Sequence, residues 1–308
     1  MSLVPSGSVA EVEGAGGGPY FYNTDLGATL QARRPEEGKV EVGCLRMLKL
    51  GEEATLLRMR ALLADDLARV EEWLPDVHGD VRMLRFLRKC KGEEIVAVEW
   101  YRQMLEWRRK EGVDVIRQRL VQQQMTPHDF PFHAELQALM PVTVWSESPR
   151  AHVDAIQVIY NGRWKTRGLV RAIRSGQITE QDFLRYWVFI NEWLSLRIDS
   201  LSRQHGRIAG IKLVCDMRDA DPLKQFSKTF FTMMGPWAAM SQDNYPMTSC
   251  NIYFVDAPKF FGVVWALIAP MLNEDTRSKI TFTDSRDTSW LSDLGLDTLP
   301  DYASDHSI

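Results

Sequence analysis

Apolar positions along this chain follow two different rhythms. Between about residues 52 and 120 they recur every three or four positions: Leu56, Leu57, Met59, Leu62 and Leu63 open the series. Val81, Leu84, Phe86 and Leu87 continue it after Pro75 and Gly79, and Ile95, Val98, Tyr101, Leu105 and Trp107 close it. That period places apolar side chains on one face of a helix, so the spacing predicts a small helical unit. Beyond residue 140 the pattern changes to short β-rich runs, at residues 155–160 (AIQVIY), 208–215 (IAGIKLVC) and 251–255 (NIYFV), with long helical stretches between them. Strands that alternate with helices predict an α/β fold, a mostly parallel sheet covered by helices. The best-marked helix follows Thr179. Glu180 and Asp182 stand in its first turn, Phe183, Trp187, Ile190, Leu194, Ile198 and Leu201 form a stripe to lie on the sheet, and Gly206 ends it.

Two segments break the amphipathic pattern. Residues 229–242 (TFFTMMGPWAAMSQ) and 260–273 (FFGVVWALIAPMLN) are each fourteen residues long without a formal charge. A helix apolar all round is buried on every side, faces lipid, or lines a cavity that something apolar fills. Ordinary core is one reading. Met233, Met234, Met240 and Met247, with Pro236 and Pro270 interrupting the helices, favour the other, a deformable apolar pocket. At about 1.5 Å per residue the second segment reaches roughly 21 Å, short of the roughly 30 Å hydrocarbon core. It is long enough to dip into a leaflet and too short to cross.

Composition narrows the function classes. The 308 residues are 45% hydrophobic and 25% charged, with a net charge of -4, a pI near 5.9 and mean hydropathy -0.25. This is the profile of a globular protein without the cationic field that nucleic-acid binding requires, so no nucleic-acid partner is expected. Residues 81–120 are locally basic, eleven Lys or Arg against six acids, and are expected as a solvated face or a phosphate- or membrane-facing patch. From Asp284 on, six acids oppose Arg286 alone, which reads as a solvated apron. Residues 1–48, with Gly14, Gly16, Gly17 and Gly18 crowded together, read as a flexible tail, with a docked element at Tyr20, Phe21 and Tyr22 as the alternative. The remaining divisions are a helical domain over 49–120, an α/β domain over 121–303 and a short tail over 304–308. Cys44, Cys90, Cys215 and Cys250 lie too far apart for a zinc site or a disulfide scaffold, and neither a signal peptide nor a spanning helix is found. A cytoplasmic, metal-free monomer is expected. Catalysis is not: there is no Gly-x-Ser-x-Gly elbow, no phosphate-binding Gly-x-x-x-x-Gly-Lys-Ser/Thr loop and no His-Glu-x-x-His, and the six histidines are scattered.

The residues also carry a family resemblance. The stretch from Leu84 to Trp107 (LRFLRKCKGEEIVAVEWYRQMLEW), followed by Arg108, resembles the entry motif of the CRAL-TRIO N-terminal domain. Asp243-Asn244-Tyr245-Pro246, the strand NIYFVDAP, the apolar helix with Trp265 and Pro270, and Thr276 to Phe282 (TRSKITF) are similar to its lipid-binding domain, in particular that of phosphatidylinositol/phosphatidylcholine transfer proteins. The match runs over about residues 50–303 and is weak between 121 and 175.

The resemblance implies a sheet forming the floor of a hydrophobic pocket gated by a mobile helix, here residues 258–272. It further implies a cytosolic, non-catalytic protein that binds phospholipids, retinoids or tocols, needs no cofactor beyond the bound lipid, and meets membranes transiently and peripherally. On that basis Phe260, Phe261, Val264, Trp265 and Ile268 are candidates for the gate face. Phe226, Phe230, Met233, Met234 and Trp237, with Tyr245, are candidates for the opposite wall, and Arg88 and Lys91 for the head group. Three departures count against phosphatidylinositol: Ala269 stands where a Lys usually precedes the gate proline, Met247 where a Glu follows Tyr-Pro, and Cys90 where an Arg closes the N-terminal motif. A single-chain lipophile is a second ligand class, and a lipid-sensing adaptor that presents its lipid without net transfer is the alternative function.

Overall fold

The computed structural model describes residues 26–69, 74–145, 154–221 and 227–299. In chain order, α1 (Gly27–Leu30), α2 (Val42–Leu45), α3 (Glu52–Leu62), α4 (Ala64–Ala68), α5 (Pro75–His78), α6 (Asp80–Lys89), α7 (Glu94–Glu111), α8 (Val113–Gln122) and α9 (His133–Leu139) come first. The second half alternates: β1 (Val142–Trp145), β2 (Ala155–Ile159), α10 (Thr166–Arg174), α11 (Glu180–His205), β3 (Ile211–Asp216) and α12 (Lys228–Asn244). It ends with β4 (Ser249–Val255), α13 (Phe261–Ile268), α14 (Glu274–Ser278), β5 (Ile280–Thr283) and α15 (Ser289–Leu294).

Helix α11 begins and ends where its sequence directs. The Thr179 side chain accepts from the Asp182 amide, and Asp182 accepts in return from the Thr179 amide at 3.0 Å, a reciprocal cap. Gly206, at φ 65, supplies the left-handed stop.

Among the described residues the strands form one sheet in the order β1-β2-β3-β4-β5. β1 is antiparallel to β2, while β2 to β5 are mutually parallel, with Ala155 opposite Ile211, Ile211 opposite Ser249, and Ile252 opposite Ile280. The parallel strands therefore share amino and carboxyl ends, and helices fill the crossovers. Side-chain alternation gives the sheet two faces. Ile156, Val158, Val214, Tyr253 and Val255 point to one, where Trp290, Leu291 and Leu294 of α15 cover them. The acidic C-terminal stretch is thus no solvated apron over residues 289–294, and Asp293 pairs with Lys212 of β3 at 2.9 Å. Asp284, Asp287 and Asp297 flank a short helix whose apolar residues Trp290, Leu291 and Leu294 the charge count hides.

Three further expectations are corrected. Residues 26–48 of the expected tail are built into the fold: Val40, Cys44 and Met47 are buried in the helical core, Thr29 Oγ1 donates to Asp199 at 2.7 Å, and Arg203 donates to Glu41 at 2.6 Å. Helices of four residues carry no apolar period, so the signal was absent from the pattern. The possible docked element at Tyr20 to Tyr22 lies outside the described residues.

On α7 the buried stripe is Ala97, Val98, Tyr101, Met104 and Arg108, while Ile95 is 69% exposed. The basic excess over 81–120 is largely internal, since Arg82, Arg85, Arg108 and Arg117 are all buried. Arg82 donates to the Asn244 carbonyl at 3.1 Å, Arg85 to the carbonyls of Met247 at 2.9 Å and Ala209 at 2.8 Å, and Arg117 to Asp76 at 2.6 Å. Arg82 and Arg85 fasten the helical half to the sheet half, and Arg117 ties α8 to α5 within the helical half. A count of charges does not reveal that their partners are backbone carbonyls and acids far along the chain.

Candidate functional site

The other face of the sheet floors a cavity of about 290 Å³, close to the lower end of the roughly 300–1,000 Å³ typical of ligand sites. Strand alternation brings Gln157 and Ile159, Ile211, Leu213 and Cys215, Ile252 and Phe254, and Ile280 to that floor. Helix α11 supplies a side wall through Trp187, Ile190 and Asn191. Helix α12 turns one stripe inward, Phe230, Phe231, Met234, Trp237, Ala238 and Ser241, at the three- and four-residue spacing of a single face. Its opposite side is open, with Pro236 exposed.

Helix α13 closes the cavity. Phe261 and Val264 are buried against it, and Phe260 and Ile268 complete the inner surface. On its outer side Val263 is 65% and Leu267 42% exposed. The uncharged segment is therefore neither core nor surface by ordinary patterning, because one side faces a void and the other faces solvent. The helix ends in a 3-10 turn at Ala269–Met271, where Pro270 cannot extend the ladder.

The cavity has a polar end at the amino termini of β4 and β5. Lys89 donates to Asn273 Oδ1 at 3.1 Å and to Asp275 at 2.8 Å, and Lys279 donates to the same carboxylate at 3.0 Å. Burial raises the Asp275 carboxyl, but the two lysine hydrogen bonds outweigh it and hold it below the ordinary carboxylate range. Two ammonium groups against one carboxylate leave a net positive charge. Gln242 ties the roof to this end, donating to the Met271 carbonyl at 2.8 Å and accepting from the Asn273 amide at 2.9 Å.

Tyr245, in the wall nearby, is anchored from behind: its hydroxyl donates to Glu192 at 2.6 Å, and Glu192 holds Arg108 by two bonds of 2.7 and 2.9 Å. Burial and the adjacent Glu192 push the Tyr245 phenol well above its usual value, so it stays a neutral donor.

Of the residues expected at a lipid site, Phe230, Met234, Trp237, Tyr245, Phe260, Phe261, Val264 and Ile268 all line the cavity. Met233 and Trp265 do not: Met233 packs half-buried against the core, and Trp265 lies edge-on to Phe254 and Phe282 at 5.9 and 5.4 Å. Phe226 lies outside the described residues. The head-group candidates are displaced. Arg88 is committed to Glu52 at 2.8 and 2.9 Å and to the Met47 carbonyl, and Lys91 is an exposed residue in a left-handed turn at φ 54. Lys89, one position along α6 from Arg88, reaches the cavity instead, because a helical step of about 100° separates neighbours. Lys279 lies within the TRSKITF motif, where nothing in the sequence distinguishes it from the neighbouring Arg277, and the floor residues carry only the generic signature of buried strands.

A helix-covered, mostly parallel sheet whose inner face lines an apolar chamber with one charged end defines a cavity-bearing α/β domain. Residues 155–302 match the family model described as the CRAL/TRIO domain. It is similar to the phosphatidylinositol/phosphatidylcholine transfer protein SFH7 of Arabidopsis thaliana, 28% identical over 235 residues, covering 72% of this chain and 37% of that protein. A CRAL-TRIO domain-containing protein of Caenorhabditis elegans is 24% identical over 202 residues, covering 65% of this chain and 26% of that protein. The chain thus spans only about a third of the length of these curated relatives. The crystal structure of Sfh5 shares the fold at TM-score 0.54 and 17% identity, covering 77% of this chain and 82% of that one. Among the described residues no helix is long and apolar enough to cross a membrane, and no cluster of potential metal ligands is found.

Proposed function

We propose that this chain is a non-catalytic lipid carrier that shields a phospholipid or another lipophile in the cavity and exchanges it at a membrane surface by movement of α13. The observation that carries this reading is the helix itself: eight uncharged residues, Phe261–Ile268, whose inner side roofs an apolar void and whose outer side leaves Val263 and Leu267 in solvent. A bilayer is the environment in which both sides of such a helix are satisfied at once. Moving a methylene from the cavity into water costs about 0.8 kcal/mol, so some thirty methylenes of a diacyl lipid impose a barrier on the order of 20 kcal/mol. Release without a receiving membrane is negligible on that scale, which makes contact-dependent opening the physically reasonable route. The names of the Arabidopsis relatives, phosphatidylinositol/phosphatidylcholine transfer proteins, support the same class of cargo. The net positive charge of the Lys89–Asp275–Lys279 end suits a phosphate-bearing head group.

Native mass spectrometry of the purified chain, with extraction of any retained lipid, is to be paired with transfer of fluorescent phosphatidylcholine between donor and acceptor vesicles. The expected result is a lipid adduct and net transfer, both lost in Ala238→Trp, which fills the cavity from the α12 wall. Absence of any adduct together with absence of transfer would refute the carrier. An adduct without transfer would instead favour a sensor that presents its lipid to a partner.

A further inference from the structure

Helix α10 carries an exposed charge that the fold does not use. Residues 155–179 hold five cations and no acid, in a chain whose net charge is -4. Four of the five, Lys165, Arg167, Arg171 and Arg174, are exposed, and the three arginines follow the four- and three-residue spacing of one helix face. The opposite face packs Leu169, Val170 and Ala172 into the same core as Phe230, Phe231 and Met234 of α12. Arg82, Arg85 and Arg117 are engaged by carbonyls and a carboxylate inside the fold, whereas among the described residues no side-chain hydrogen bond or ion pair holds Lys165, Arg171 or Arg174. Helix-end electrostatics explains only half of this stripe. Arg171 and Arg174 lie in the last turn, where a cation suits the negative end of the helix dipole. Lys165 and Arg167 stand at the N-cap and in the first turn, where the positive end favours an acid, and that turn has none.

The stripe belongs to the helical layer that encloses the cavity. β2 to β5 are parallel neighbours in chain order, and crossovers of that kind are right-handed, so α10, α12 and α13 cover one face of the sheet in that order. The cavity shows the same arrangement: Trp164 and Thr166 at the start of α10 share its wall with α12 and α13. Trp164 meets Phe230 at 5.7 Å, which sets the first turns of α10 and α12 side by side, and Lys228 is exposed at the start of α12. From Thr229 to Gln242 α12 carries no charge, and Thr232, Pro236 and Ala239 are its exposed residues there with Thr229. Val263 and Leu267 of α13 follow as an apolar margin. One outer surface therefore grades from cationic through neutral to apolar.

We propose that this surface docks on an anionic membrane leaflet, with α13 as the apolar anchor and the α10 stripe as the element that selects negatively charged head groups. An anionic leaflet attracts cations that lie near its plane and repels the acidic remainder of the chain, so charge alone turns this face toward the bilayer. An acidic protein matches the stripe but not the uncharged strip and apolar margin beside it. A leaflet matches all three, since its head groups meet the cations and its acyl boundary meets Val263 and Leu267. The selection concerns the surface at which exchange takes place, not the guest in the cavity. It rests on the carrier reading and deepens it.

The full chain is to be floated with vesicles of phosphatidylcholine alone and of phosphatidylcholine mixed equally with phosphatidylserine, at low and at high salt. The expected result is tighter association with the mixed vesicles, a preference that salt weakens because exposed charges are screened. Lys165→Gln, Arg171→Gln and Arg174→Gln combined should reduce that preference by about fivefold per cation, on the order of a hundredfold in all. The same variant should keep its lipid adduct in native mass spectrometry and its weaker association with phosphatidylcholine vesicles, which also shows that it folds. Arg58→Gln, Arg69→Gln and Lys110→Gln combined remove the same charge from exposed positions of the helical half and should leave the preference intact. Equal association of the wild-type chain with both vesicles, retention of the preference by the α10 variant, or its loss in the helical-half variant overturns the inference. So does binding of the stripe to soluble polyglutamate without a preference between the vesicles, which assigns it to an acidic protein. A lipid adduct and phosphatidylcholine transfer that persist in those cases leave the carrier standing, and absence of both from the wild-type chain refutes the carrier itself.

Discussion

Glu192→Gln tests how firmly the helical half holds the cavity wall. Glu192 and Arg108 are each 1% exposed, the guanidinium is bidentate at 2.7 and 2.9 Å, and Tyr245 donates to the same carboxylate at 2.6 Å. Burial alone would lower the Arg108 pKa, but the Glu192 carboxylate overrides it and holds the group well above its usual value. The substitution keeps the shape and removes the charge. Arg108 then retains only Asp114, at 2.7 Å and 35% exposed. Breaking a buried pair from one side costs about 3–5 kcal/mol, against a total stability of about 5–15 kcal/mol for a domain. Urea unfolding followed by tryptophan fluorescence should show that loss as a shift in midpoint at constant slope. Replacing both members by Met should recover most of it, because two apolar side chains leave no stranded charge. The vesicle assay should follow stability, since Tyr245 stands in the cavity wall. A cost below about 1 kcal/mol for Glu192→Gln would refute the claim that this carboxylate pins the wall.

Three other outcomes are expected. His78 is held at about 4, mainly by burial and then by Arg108. Its stabilising contribution is thus complete above the ordinary value near 6.5 and is lost as pH falls toward 4, by about 3 kcal/mol at roughly 1.4 kcal/mol per unit; His78→Asn should flatten the unfolding profile over that window, and an unchanged slope would count against it. Val263→Asp with Leu267→Asp, both on the exposed side of α13, should change stability by only about 0.5 kcal/mol per site yet abolish vesicle association in flotation assays. Lys89→Ala and Lys279→Ala should each weaken retention of a phosphate-bearing lipid by about 1.5–3 kcal/mol relative to an uncharged lipophile, measured by competition, and equal losses for both ligands would argue against a head-group role.

The legible parts of the sequence share a property: their signals are local. Thr179, Asp182 and Gly206 bound α11 through contacts within a few residues, and the cap geometry follows from the side chains alone. The runs at 155–160, 208–215 and 251–255 are apolar on both faces because α15 covers one face and the cavity roof the other. What escaped detection depends on distance along the chain. β1 is four residues long and gains its place by pairing with β2. Thr29 and Glu41 are fixed by Asp199 and Arg203, residues that no window of sequence brings near them. The placement of Arg88 was hidden for a related reason: the motif identifies the right turn of α6, but only the packing shows that Lys89, and not Arg88, lines the cavity.

The same contrast explains why absence of charge was the most informative feature. In α7 and α11 the polar positions are settled by ion pairs and caps, so their patterning reports on structure. In α13 neither side carries a polar group, although Val263 and Leu267 meet water. A helix required only to cover a core could place Lys or Glu at both positions at no packing cost, as the outer faces of most covering helices do. Retaining Val and Leu there is physically sensible when the exposed side also has an apolar destination. In the proposed carrier the inner side would have one in the guest, and the outer side one in a bilayer. Under the proposed function the two requirements fall on the same eight residues, and together they would couple the opening of the chamber to arrival at a membrane.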